Sequence, residues 1–208
     1  TDGKTVKLLI GVIQDGSSTL SVTHTTTFDL STYSLTCASG TTFDISLDKT
    51  LELKSGTLSG SFILNGAGNL FAGTDVKMPG VGVTAGTPLQ SLYRVLIKLP
   101  GDETAGTVTT VSYGRTRVSS LAQKGDMLCC WLPQSMAAVA ITFAYTPAGT
   151  SAPTNYATDP LTVTQQAENL VECRETTVTN TDVAELTIGT TTTSYATLKE
   201  AFGAITGE

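Results

Sequence analysis

The chain has 208 residues, a formal net charge of −6 and only 14% charged side chains, against a usual ~25%. Its densest basic spot is Arg115 with Arg117, so it lacks the basic patch that neutralises nucleic-acid phosphates. No apolar run approaches the roughly 20 residues of a membrane-spanning helix, and no Asn-x-Ser/Thr glycosylation acceptor occurs.

Threonine makes up nearly a fifth of the residues. It is β-branched, so it favours strands, and its hydroxyl keeps a face soluble without charge. Such a surface suits a subunit that packs against neighbours, where exposed charge is costly to desolvate. A solvated monomeric β domain fits the composition equally well. No signal-peptide pattern opens the chain, and Thr1 fits a processed or a trimmed start, so secretion stays open.

Taken in order, residues 4–13 predict a strand, with Val6, Leu8, Ile10 and Val12 on one face. Asp15-Gly16 is a hairpin cue, with the return strand over 19–25. Between 26 and 64 the period of two is clearest: Phe43, Ile45 and Leu47 alternate with Asp44, Ser46 and Asp48, and Leu51 and Leu53 with Glu52 and Lys54. The sextet at 26–31 (TTFDLS) returns at 41–46 (TTFDIS). This predicts two strands with the same inward Phe/aliphatic pair, separated by one connection. A single echo falls short of the three units that a stacked repeat array needs. Residues 65–69 read as a loop.

Residues 78–89 carry Pro79, Gly80, Gly82, Gly86 and Pro88 and predict a long loop, either an interaction segment or a slack connection. Strands are predicted at 91–99 and 107–113, and one helical turn at 119–124 with Gly125 as its terminator. The runs 127–132 and 137–145 are nearly all apolar, as in strands buried on both faces. Residues 146–160 (TPAGTSAPTNYATDP) change character and predict an extended arm. One or two short strands follow within 161–187. Ser194 then caps a helix over 195–206, with Tyr195, Leu198, Phe202 and Ile205 on one face. So short a helix is marginal alone and needs a surface to dock on.

The fold expected is therefore all-β: a mostly antiparallel β-sandwich or jelly-roll-like barrel over 1–145, an arm over 146–160, and a small C-terminal β/α segment over 161–208 with one short helix. Tyr195, Leu198, Phe202 and Ile205 are its candidate inter-subunit contacts.

Catalytic chemistry finds little support. His24 is the single histidine, so a Ser-His-Asp triad or a Cys-His pair would have to use it. It sits in a Thr-rich strand, and no Gly-x-Ser-x-Gly elbow occurs. Cys37, Cys129, Cys130 and Cys173 lack zinc-ligand spacing. Cys129 and Cys130 face opposite sides of a strand among apolar neighbours, which favours buried reduced thiols. The sharper alternative is a disulfide from one of them to Cys37 or Cys173. Asp44, Asp48 and Glu52 are spaced too widely along a strand for a calcium loop and read as a solvated face. Asp102-Glu103 could supply one member of a glycosidase pair, but no partner is evident. The Gly80–Gly86 segment is similar to a dinucleotide fingerprint, yet Pro79 and Pro88 flank it and no helix opens there. Neither cofactor nor metal is expected. Carbohydrate binding would draw on exposed aromatics, and aromatic residues are 6% of the chain.

The Thr/Gly/Ser-rich β body, the TPAGTSAPTNYATDP segment and the ending TIGTTTTSYATLKEAFGAITGE together resemble virion structural proteins of tailed bacteriophages: capsid decoration, head-fibre and tail components. The resemblance implies a non-catalytic subunit working in many copies in the virion, with copies of itself and other structural subunits as partners, and without nucleic acid or membrane. A pilus or surface-filament subunit is the nearest alternative, and a carbohydrate-binding β-sandwich module the next.

Overall fold

The computed structural model describes residues 2–14, 16–79, 81–85, 90–99, 106–113, 116–117, 121–133, 140–151, 153–160, 163–167, 170–175, 178–180, 184–195 and 197–205; for 109–110, 113, 116–117, 163–167, 170–175 and 178–180 it describes the backbone alone. Among the described residues the protein is mostly β, with one short C-terminal helix.

Its first part is a β-solenoid. Three short strands, β1 (Lys4–Lys7), β2 (Val12–Gln14) and β3 (Thr19–Val22), lie in parallel along successive stretches of one long strand, β4 (Thr26–Ile45). The next long strand, β5 (Thr50–Gly66), lies in parallel on β4 along its whole length. On β5 lie β6 (Asn69–Ala72) and β7 (Gly82–Ala85), again in parallel. The chain thus winds through four coils, regaining the same place after 25 residues at Thr26–Leu51 and 21 at Phe43–Leu64.

Inward side chains stack in columns from coil to coil. Val6, Phe28, Leu53 and Ala72 form one register column, Val12, Leu35 and Leu58 a second, and Leu20, Phe43 and Leu64 a third. The columns bury a continuous interior, in which the Phe43 and Phe62 rings lie 4.7 Å apart. This accounts for the echoed sextet. Phe28 and Phe43 are inward positions on two faces of one coil, not members of two strands joined by a connection.

The corners need backbone that bends outward. Ser31 and Ser55 take φ of 56° and 57°, rare for residues with a Cβ. Each is held by a carboxylate: Ser31 N donates to Asp29 Oδ1 at 2.7 Å, and Ser55 N to Asp75 Oδ2 at 2.8 Å. The next corner uses glycine. Gly60 has φ +81°, and a Cβ there would lie 2.0 Å from the Cys37 carbonyl oxygen.

After the last coil the direction changes. Strand β8 (Gln90–Lys98) runs antiparallel to β7 and to β12 (Met127–Pro133), which carries β11 (Leu121–Lys124). Leu92, Leu96, Cys129 and Trp131 face the solenoid interior and close it. Trp131 Nε1 donates to the Leu70 carbonyl at 2.9 Å. From the same strands, Val95, Cys130 and Leu132 face a second core, shared with Val111, Ile141, Phe143 and Tyr145. These last come from β9 (Thr107–Tyr113) and β13 (Ile141–Thr146), in a sheet ordered β10 (Thr116–Arg117), β9, β13, β14 (Thr154–Thr158), β17 (Val178–Asn180). Strand β16 (Leu170–Glu175) runs in parallel on β8, and β15 (Val163–Ala167) pairs with β16. A hairpin of β18 (Ala184–Ile188) and β19 (Thr191–Tyr195) carries the helix α1 (Leu198–Ile205).

Several expectations are corrected. The main sheet is a solenoid, not an antiparallel sandwich or jelly roll. Strands β2 and β3 flank Asp15-Gly16 but do not form a hairpin, because both pair with β4. Strand β7 occupies part of the loop expected over 78–89. The turn expected at 119–124 is strand β11 where described, and Gly125 (φ +56°) turns it into β12. Strand β12 is buried on both faces, whereas β13 alternates buried and more exposed positions. The segment expected as an arm turns at 147–150, where Thr150 N donates to the Pro147 carbonyl at 3.2 Å, and returns as β14 against β13. Strands β16 and β17 join sheets of the expected body.

Candidate interaction surfaces

The two ends of the solenoid differ. One is closed by β8 and β12. At the other, β1, β2 and β3 of the first coil pair with β4 on one side only. Solenoids ordinarily carry a polar capping unit at such an end; among the described residues nothing covers this one. Leu8, Val12, Leu20 and Val22 are only partly buried, and Val6 is 54% exposed. A pocket of about 410 Å³ opens there, walled by Lys4, Val6, Leu20, Val22, His24 and Phe28. Leu9, Ile10 and Ile13 of the same coil are also exposed. Ile10 thus leaves the inward face expected for it, because the chain turns a corner between β1 and β2. The consecutive Leu8-Leu9-Ile10, which breaks the alternation, is the sequence signal of that turn.

His24 stands at the rim of this pocket. Thr23 Oγ1 and His24 Nδ1 lie 3.1 Å apart. Asp2 lies nearby, but its oxygens are engaged elsewhere: Oδ1 accepts from Thr25 N at 2.9 Å and Oδ2 from Lys49 Nζ at 3.1 Å. These hydrogen bonds, the Thr25 amide foremost, hold the Asp2 carboxyl below the usual range. Asp2 therefore does not orient the ring as the acid of a triad would.

The second surface is α1. Thr197 caps it, in place of the expected Ser194: its Oγ1 accepts from Glu200 N at 3.2 Å and its carbonyl from Ala201 N at 3.2 Å. Glu200 in the first turn suits the positive end of the helix dipole. The helix contacts β18 and β19 and buries Ala201. Of the four residues expected to share an apolar helical face, Tyr195 ends β19 and is half-buried. Leu198, Phe202 and Ile205 lie together on the helix and remain exposed, Phe202 at 65%.

The other chemistry-bearing residues are dispersed. Cys37, Cys129 and Cys130 are buried, and burial pushes the Cys37 thiol up to about 11. The side chain of Cys173 lies outside the described residues, as do Asp102 and Glu103. Asp44 accepts from Asn65 Nδ2 at 3.0 Å. Asp48 sits in the turn between β4 and β5 with φ 59°, and Glu52 pairs with Lys124. Among the described residues no group of three or more His, Cys, Asp or Glu could hold a metal ion, and no helix is long and apolar enough to cross a membrane. Trp131 is buried, so it offers no platform for a sugar ring. No family model, curated protein or solved structure matches the chain.

Proposed function

We propose that this chain is a non-catalytic structural subunit of a multi-copy assembly, a virion component of the kind found in tailed bacteriophages. The observation that carries the reading is the first coil, whose apolar end and outer strand edges are uncovered among the described residues. An isolated molecule pays for that surface in solubility, whereas a subunit buries it against a neighbour. The exposed face of α1 adds a second such surface. The low charge of the chain agrees, because charged side chains at a subunit contact must be desolvated.

Sedimentation velocity over a range of concentrations tests this reading, with electron microscopy of the fast-sedimenting fraction. Species larger than one chain, with regular particles or fibres, are expected. A chain that stays monomeric at several hundred micromolar overturns it.

A further inference from the structure

We propose that Asn65-Gly66, at the end of β5, is a site of spontaneous deamidation that pairing with β4 holds closed, and that its product breaks the rung Asn65 makes with Asp44.

Residues 65–66 are the single Asn-Gly dipeptide of the chain. The chemistry needs no catalyst, and water is its co-reactant. The backbone nitrogen of Gly66 attacks Asn65 Cγ. The new N–C bond closes a five-membered succinimide, the bond from Cγ to the side-chain nitrogen breaks, and ammonia leaves with the proton given up by the Gly66 amide. Water then adds to either ring carbonyl and opens the ring, giving aspartate or isoaspartate. Asparagine is thermolabile by this route, most of all before glycine, where no Cβ crowds the attacking nitrogen. The solenoid cannot exchange that glycine for a safer residue. Gly66 has φ +84°, and a Cβ there would lie 2.1 Å from the Ile45 carbonyl oxygen.

The Asn65 side chain is exposed to water, so the backbone is what resists. Asn65 pairs in parallel with Asp44. A parallel strand has ψ of about +115°, which turns the next backbone nitrogen away from the side chain, whereas ring closure brings the two nearly into eclipse about the Cα–C bond. Closure therefore requires the end of β5 to leave β4.

The product cannot restore the contact that is lost. Asn65 Nδ2 donates to Asp44 Oδ1 at 3.0 Å. Deamidation removes this donor and sets a second carboxylate opposite Asp44 on the neighbouring strand, and like charges directly opposite are destabilising. Isoaspartate also lengthens the main chain by one carbon, just before the next rung, Ile45 with Gly66. A chain that has opened here and aged thus returns to a weaker solenoid.

Two measurements test the proposal. The full wild-type chain is incubated native and in urea at one pH and temperature, and acid and isoaspartate at residue 65 are followed by peptide mapping. In urea, residue 65 should convert ahead of Asn69, Asn155, Asn169 and Asn180, and in the native protein roughly tenfold or more slowly. Equal rates in the two states, or no isoaspartate at residue 65 in urea, would overturn the site. The second measurement compares melting curves. Asn65→Asp should lower the melting temperature by about 3 °C or more, and adding Asp44→Asn, which again sets one amide against one carboxylate, should recover most of the loss. An Asn65→Asp protein as stable as the wild type, or a double variant no better than Asn65→Asp alone, would overturn the broken rung.

Discussion

Cys129 and Cys130 are adjacent in β12 and belong to different cores. Cys129 lies in the solenoid interior, with its sulfur 3.7 Å from the Leu70 carbonyl oxygen, and Cys130 lies in the core shared with β9 and β13. One strand therefore serves as the wall between two hydrophobic interiors, which is why its sequence is apolar at consecutive positions.

Thiol reactivity follows from that burial. Cys37, Cys129 and Cys130 should resist an aqueous thiol reagent in the native protein and react on unfolding. A thiol assay should count at most one fast-reacting group per native chain. Two or more would contradict the burial of these three.

The solenoid corner at Gly60 should tolerate no side chain. Gly60→Ala combines a left-handed backbone with a Cβ 2.0 Å from a carbonyl oxygen, and it should cost about 3 kcal/mol or more. Gly189→Ala is the control. It has a similar φ, +62°, but open space around it, so about 1 kcal/mol is expected. Chemical denaturation of both variants measures the difference, and equal losses would refute the close approach.

Arg94 is buried in β8, and its Nη1 donates to the carbonyls of Ala72, Gly73 and Val76 at 3.2, 2.9 and 3.1 Å. It ties the turn after β6 to the sheet that closes the solenoid. Arg94→Met removes the donor and leaves buried carbonyls, which should cost about 3 kcal/mol. Arg94→Lys keeps the charge and three donors on one nitrogen, but its shorter side chain ends short of the Nη1 position, so it should recover only part of that loss. Unfolding midpoints in urea test both, and an unchanged midpoint for Arg94→Met would discount the tie.

Thr41 offers the opposite case. Its side chain is fully buried in β4, and its Oγ1 has no hydrogen-bond partner among the described residues. Thr41→Val keeps the branched shape and removes the unpaired hydroxyl, so a gain of about 1 kcal/mol is expected. A loss of stability, read from thermal melts, would mean that the hydroxyl is satisfied.

Cys37 should make the protein sensitive to alkali. Burial raises its thiol from an ordinary 9.0 to about 11, so the unfolded chain releases the proton first. Its contribution to stability is intact below about pH 9 and is lost as pH climbs towards 11. Between pH 7.5 and 10.5 the wild type should lose more stability than Cys37→Ala. Parallel losses in the two proteins would contradict the shift.

Much of the β content was legible in the chain. The alternation around Phe43 and Leu53, the strands near 91–99 and 107–113, the opposed faces of Cys129 and Cys130 and the existence of a C-terminal helix all follow from local pattern, because a half-buried strand has a period of two wherever it pairs. The partner and direction of each strand were not legible. A parallel coil and an antiparallel hairpin impose the same alternation, and the corners that decide between them are made here by Ser31, Ser55 and Gly60, residues equally at home in ordinary turns. The repeated TTFDLS and TTFDIS sextets show the limit most clearly. Local sequence marks Phe28 and Phe43 as inward residues, but only the stacking of β5 on β4 makes them two faces of one coil. The same holds for the surfaces. Sequence places Leu198, Phe202 and Ile205 on one side of a helix, and tertiary packing, which seats Ala201 against the hairpin, leaves that side facing outward. The exposure of Val6 is likewise a property of the stack, since among the described residues β4 is the one strand that lies against β1.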